Sequence, residues 1–146
     1  MIQKLLLASL FSAATFSAMA TEVINHKSPY CGCCSQWAKH MEGAGFTVKE
    51  VYHENMETVK AKFNIPAQLT SCHTAEINGY LFEGHVPAED IQAFLANPPA
   101  DARGLSVPGM PVGSPGMNYG DKRDAYSVFV LGKQGKNYEY RHYNAL

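Results

Sequence analysis

The sequence predicts an α/β domain, and three observations carry that reading. Apolar residues recur with strand period and helix period in alternation along the chain, an Asn78-Gly79 pair separates two short β-type runs, and a cysteine cluster falls where the first strand gives way to the first helix. Each element follows from local pattern.

Residues 21–27 read as the first strand, and Ser28-Pro29 turn the chain into Cys31-Gly32-Cys33-Cys34. Trp37, Ala38, Met41 and Ala44 then recur at helical spacing until Gly43 and Gly45 stop the helix. Residues 46–52 alternate apolar and polar, so a second strand follows. Met56, Val59 and Phe63 mark one face of a second helix, which ends at Asn64 because Pro66 disfavours helical geometry just ahead of it. Residues 68–77 and 80–83 form a strand pair about Asn78-Gly79, the dipeptide of a two-residue hairpin turn. Pro87 suits the first turn of a third helix, Glu89 and Asp90 its positive end, and Ile91, Phe94 and Leu95 its apolar face. The order β-α-β-α-β-β-α is that of a thioredoxin-like sheet with flanking helices. A C-terminal hairpin pairs residues 126–131 with 138–143, and the Pro/Gly-rich segment 98–125 between helix and hairpin reads as a long functional loop. There is no internal repeat.

Residues 1–20 carry Lys4, the apolar run from Leu5 to Phe11, and Ala18-Met19-Ala20, the pattern of a signal peptide cleaved after Ala20. The remaining residues, 21–146, are expected to form one exported domain in the periplasm. No second apolar stretch is long enough to span a bilayer. Removing Lys4 leaves eleven basic residues against thirteen acidic ones, a net charge of −2, with no basic run to follow phosphates. Nucleic acid is excluded as a partner on that ground.

An exported chain with four cysteines would ordinarily form two disulfides. Yet Cys31, Cys33 and Cys34 crowd one turn, and this run contains a C-x-C, a C-x-x-C and a vicinal pair at once. As a C-x-x-C, Cys31 is the nucleophile and Cys34 the resolving thiol of a thiol-disulfide oxidoreductase, activated by the helix N-terminus. Pro66 ahead of the third strand, where such enzymes carry a cis-proline, is compatible with that chemistry. The extra thiol, Cys33, complicates clean exchange and argues instead for metal. Soft thiolates select Cu(I), zinc or iron-sulfur clusters, and several on one turn can bridge neighbouring ions. Zinc usually takes two separated cysteine pairs, whereas the fourth cysteine here, Cys72, is single.

Cys72 is read on the third strand, close to the start of the first helix, and strand alternation turns His73 to the opposite face. His85, ahead of the third helix, is placed either to approach the cluster or to close a turn. Met110 and Met117 add two thioethers from the loop to the candidate metal donors. Trp37 and Met41 are read as core residues, with Trp37, one turn from Cys33 and Cys34, also placed to shield the site from water, while His26, His40, His53 and His142 are assigned to surface or packing positions.

The runs CGCCSQWAKHM, SCHTAEINGY, EGHVPAEDI and GLSVPGMPVGSPGM, in that order, closely resemble the CopG-like family of periplasmic copper-resistance proteins. The likeness extends from about residue 27 to 120 and leaves the final hairpin outside it. It implies a thioredoxin-like fold, a multinuclear Cu(I) cluster on Cys31, Cys33, Cys34 and Cys72, a role in copper redox handling, and periplasmic copper-handling proteins as partners. His85, Met110 and Met117 match the family's remaining motifs. Air oxidation of the metal-free thiols to disulfide is expected to compete with copper.

Overall fold

The computed structural model describes residues 20–146; the signal-peptide assignment falls on residues outside these, apart from Ala20. The elements are β1 (Glu22–Lys27), α1 (Gly32–Gly43), β2 (Thr47–Tyr52), α2 (Met56–Lys62), β3 (Thr74–Ile77), β4 (Tyr80–Glu83), α3 (Ala88–Ala96), β5 (Ala102–Ser106), β6 (Tyr126–Gly132) and β7 (Tyr138–Tyr143). The strands form one seven-stranded sheet in the order β2-β1-β3-β4-β5-β6-β7. The neighbours β1–β2 and β4–β5 are parallel and the remaining pairs antiparallel. The α/β class, the first seven elements and the C-terminal hairpin are therefore as the sequence predicts. No described helix is long and apolar enough to cross a membrane.

Strand period two divides the sheet into two chemically different faces. On one, α1 and α3 bury Trp37, Met41, Ile91 and Phe94 against Val23, Ala75, Phe82 and Leu105 in a single apolar cluster. Burying side chains of this size stabilises by about 1.5–3 kcal/mol each. On the other, His26, Thr74, Glu76 and Glu83 share the face covered by α2, whose Lys60 reaches Thr74 and Glu83. The polar functional groups thus sit behind and at the end of the sheet, clear of the apolar core.

Three expectations are corrected. Residues 68–77 are not one strand: residues 67–69 make a 3-10 turn, residues 70–73 are irregular, and β3 begins only at Thr74. The Leu69 N–H bonds to the Pro66 carbonyl and the Ser71 N–H to the Glu83 carboxylate, so these donors are diverted from any ladder. Pro66 is not cis, there being no cis peptide bond among the described residues. The segment 98–125 is not all loop, because β5 lies inside it and pairs β4 with β6.

β5 escapes a periodicity reading because Gly104 interrupts its alternation, and Gly104 is there for a steric reason. A Cβ at this position would lie 1.6 Å from the Leu81 carbonyl oxygen, and the backbone holds φ at +155°. Only glycine permits so close an approach of two strands. Gly104→Ala is expected to lower unfolding stability by about 3 kcal/mol through this clash. Gly43→Ala, with nothing within 4 Å of its added carbon, is expected to raise stability by about 0.5 kcal/mol through helix propensity. Urea unfolding of the two metal-free variants measures both.

Candidate metal centre

The cysteine run occupies the start of α1. A turn closed by the Cys31 N–H and the Ser28 carbonyl, 3.1 Å apart, brings the chain off β1 and makes Cys31 the N-cap. No side chain caps this helix and no acidic residue lies in its first turn. Its partial positive charge is left to the sulfurs it carries. Cys31 and Cys34 are joined as a disulfide with Cα atoms 5.4 Å apart, while Cys33 and Cys72 are free thiols. The chain described here is therefore the oxidised form of the C-x-x-C, with one disulfide among the described residues and not two.

Cys72 arrives from the irregular segment ahead of β3. Its neighbour Ser71 is tied on both sides, donating its N–H to Glu83 at 2.7 Å and its hydroxyl to the Gly109 carbonyl. Glu83 is fully buried and also accepts from Thr74 Oγ1 and Lys60 Nζ, each at 2.6 Å. Burial pushes its carboxyl above the usual range, with Lys60 and the other donors opposing. This placement brings all four sulfurs within 4.8 Å of one another, with Cys31 Sγ and Cys33 Sγ 3.5 Å apart. Burial, with the neighbouring Cys33 second, pushes the Cys72 thiol up to about 12, so it carries its proton until a metal displaces it.

Two histidines join from the inner side. His85 Nδ1–H donates to the Pro115 carbonyl at 2.7 Å, which leaves the Nε2 lone pair facing Cys72 Sγ at 3.0 Å. A backbone acceptor behind one ring nitrogen and a soft donor in front of the other is the arrangement that orients a metal-ligating histidine. His73 does not point away as alternation on a strand would require, because it lies ahead of β3. Its Nδ1 is 3.4 Å from Cys72 Sγ, and its buried Nε2 has no hydrogen-bond partner. Burial lowers the pKa of both imidazoles, His73 the more, so both are neutral donors. Cys72, His73 and His85 form a second donor group that shares Cys72 with the four sulfurs.

The loop closes over this centre. Gly116 packs so tightly on α1 that a Cβ there would lie 2.7 Å from the Cys33 carbonyl and 2.8 Å from the Trp37 nitrogen. The fully buried Trp37 donates its indole N–H to the Val86 carbonyl at 2.9 Å and stands 4.5 Å from the His73 ring, forming an apolar wall. Met117, next to Gly116, is half-buried, and Met110, next to the Gly109 that holds Ser71, is 52 % exposed. The sequence pattern did not single out Glu83, Pro115 or Gly116. A buried carboxylate has no periodic signature, and the clue available was the glycine-rich composition of the loop.

A sheet flanked by helices, with thiols and neutral imidazoles converging at one end, defines an α/β protein with a cysteine-rich soft-metal site. The family described as "Protein of unknown function, DUF411" matches residues 69–117. Two solved structures of a copper resistance protein, CopG, Form 1 and Form 2, each align with a TM-score of 0.81 and 42 % identity, covering 86 % of this chain and 99 % of theirs. The chain belongs to this CopG copper-resistance family. No curated protein matches it.

Replacing Glu83 by Ala leaves the Lys60 ammonium and the Ser71 N–H unpaired; a loss of about 3–5 kcal/mol is expected in chemical unfolding. Gly116→Ala is expected to lift the loop from α1 and expose the His85 Nδ1 proton. Faster solvent exchange of that proton in NMR spectra, with the fold retained by circular dichroism, checks it.

Proposed function

We propose that this chain is an exported copper-binding protein of a copper-resistance system, holding several Cu(I) ions through bridging thiolates of Cys31, Cys33, Cys34 and Cys72. The observation that carries this reading is the convergence of four sulfurs from two distant segments within 4.8 Å, with His85 Nε2 aimed at one of them. The donor set fits the metal: thiolates and a neutral imidazole suit Cu(I), and sulfurs this close can be shared between neighbouring ions. The likeness to the copper resistance protein CopG supports copper over zinc. His73 adds a second nitrogen, and Met110 and Met117 add thioethers from the covering loop. Copper bound here would supply one-electron chemistry, and a copper oxidoreductase role within the periplasm follows from it. Copper ions, and other periplasmic copper-handling proteins that deliver or remove them, are its partners. Signal cleavage after Ala20 and a single domain over residues 21–146 complete the reading.

The Cys31–Cys34 disulfide favours one rival, a thiol-disulfide oxidoreductase using that pair. It also sets a condition on the copper reading, since two of the four sulfurs become donors only after reduction. The two readings separate at Cys33 and Cys72, which exchange does not need.

Anaerobic loading with Cu(I), followed by metal analysis and the ultraviolet thiolate-to-copper bands, tests the assignment. Reduced wild type is expected to bind several ions per chain, the oxidised form fewer, and Cys33→Ser or Cys72→Ser to lose most of the bound copper. Unchanged stoichiometry in Cys72→Ser would remove the four-sulfur site, and intact dithiol exchange in both serine variants would favour the rival.

A further inference from the structure

On the sheet face opposite the apolar core, three side chains from different strands and their ends line up. His26 on β1 places Nδ1 2.8 Å from Nε2 of His53, and its Nε2–H donates to Glu76 Oε1 on β3, also at 2.8 Å. The backbone holds this in register. His26 lies opposite Thr74 and Ile24 opposite Glu76, and the His53 N–H bonds to the Lys27 carbonyl at 2.9 Å. The two rings are 5.0 Å apart, and the Phe63 ring, 5.5 Å from that of His26, covers the pair. The sequence pattern assigned these histidines to surface or packing positions; His26 does pack beneath Phe63, and its hydrogen bonds to His53 and Glu76 are what that pattern did not register.

The Glu76 carboxylate decides the tautomer. With its proton held on Nε2, His26 presents the Nδ1 lone pair to His53, which in the metal-free chain fills it with its own Nε2–H. If the His53 proton moves from Nε2 to its own Nδ1 and a cation takes its place between the rings, two neutral imidazole lone pairs meet at one point, with a carboxylate behind the first ring. That is the support a metal-ligating histidine commonly has. The spacing fits as well. Nitrogens about 2.0 Å from an ion stand about 2.9 Å apart in cis square-planar positions and about 3.3 Å apart in tetrahedral ones. The observed 2.8 Å matches the first spacing and is about half an ångström short of the second, the rings turning to aim both lone pairs at the ion. Lys60, bound to the Thr74 that lies opposite His26, is neutralised by Glu83 at 2.6 Å.

From this geometry we infer that His26 and His53, with Glu76 orienting His26, form a second metal site, one for a borderline divalent ion, Cu(II) or Zn(II). His26 is buried and His53 half-buried, so the ion's remaining positions face solvent on the His53 side. Two protein ligands make an exchangeable site and not a structural one. Imidazole nitrogen suits the divalent ions as thiolate suits Cu(I). This site shares no ligand with the sulfur centre and is chemically complementary to it.

Two measurements test it without relying on the sulfurs. In wild-type chain, Zn(II) titration followed by imidazole 15N NMR is expected to shift His26 Nδ1 and His53 Nε2. In a chain carrying Cys31→Ser, Cys33→Ser, Cys34→Ser and Cys72→Ser, Cu(II) is expected to give an electron paramagnetic resonance signal with coupling to two nitrogens. His53→Gln, at the more accessible position, should abolish both responses, and Glu76→Gln should weaken binding by about tenfold or more. A response to either ion at these two nitrogens supports the site. Unmoved His26 and His53 resonances at millimolar Zn(II) together with no two-nitrogen Cu(II) coupling, or Cu(II) coupling that is unchanged in His53→Gln, would overturn it whatever the sulfurs bind.

Discussion

The buried carboxylate of Glu83 is the constraint on which the sulfur centre depends. Where the chain leaves the 3-10 turn it has no ladder to join, and Glu83 takes the place of a strand partner by accepting the Ser71 N–H, the Thr74 hydroxyl and the Lys60 ammonium. Stripping water from a carboxylate costs several kcal/mol, and only a full set of close donors offsets it. The pair therefore adds little net stability as a pair. What it supplies is position: Cys72, one residue beyond Ser71, is held against α1 through one carboxylate that belongs to the neighbouring strand.

From that point the centre assembles from separate parts of the fold. α1 brings three sulfurs on its uncapped first turn, the bend brings the fourth, and the segment after β4 brings His85. The loop orients that histidine from behind through Pro115 and packs Gly116 directly on the helix. Its own bonds, Met117 N–H to the Ser114 carbonyl and Gly113 N–H to the Met117 carbonyl, give it a defined shape. Trp37 closes the inner wall with an apolar surface, which strengthens polar and charge interactions within by keeping water out.

Cys31 and Cys34 cannot be joined as a disulfide and serve as thiolate donors at the same time. With Cys31 bonded to Cys34, the free donors are Cys33, Cys72 and the two imidazoles. Use of Cys31 and Cys34 as donors then depends on a supply of reducing equivalents. The helix N-terminus favours the thiolate in either role, so it does not choose between them. What separates the two readings is Cys33 and Cys72, which have no task in exchange and would be donors on the proposed copper reading.

The elements up to α3 and the final hairpin were legible in the sequence because their signals are local: apolar period, Pro and Gly stops, and the Asn78-Gly79 turn. The crowding of Cys31, Cys33 and Cys34 at a helix start, and the soft-metal chemistry it suggests, were legible for the same reason. Tertiary structure alone decided that Cys72 and His73 leave the strand, since a carboxylate twelve residues away captures the Ser71 N–H and local propensity cannot register it. It decided β5, whose Gly104 answers to the Leu81 backbone, and it decided the meeting of His26, His53 and Glu76, which strand pairing brings together from three separate stretches. Periodicity reports which face a residue occupies; only the folded chain determines what waits for it there.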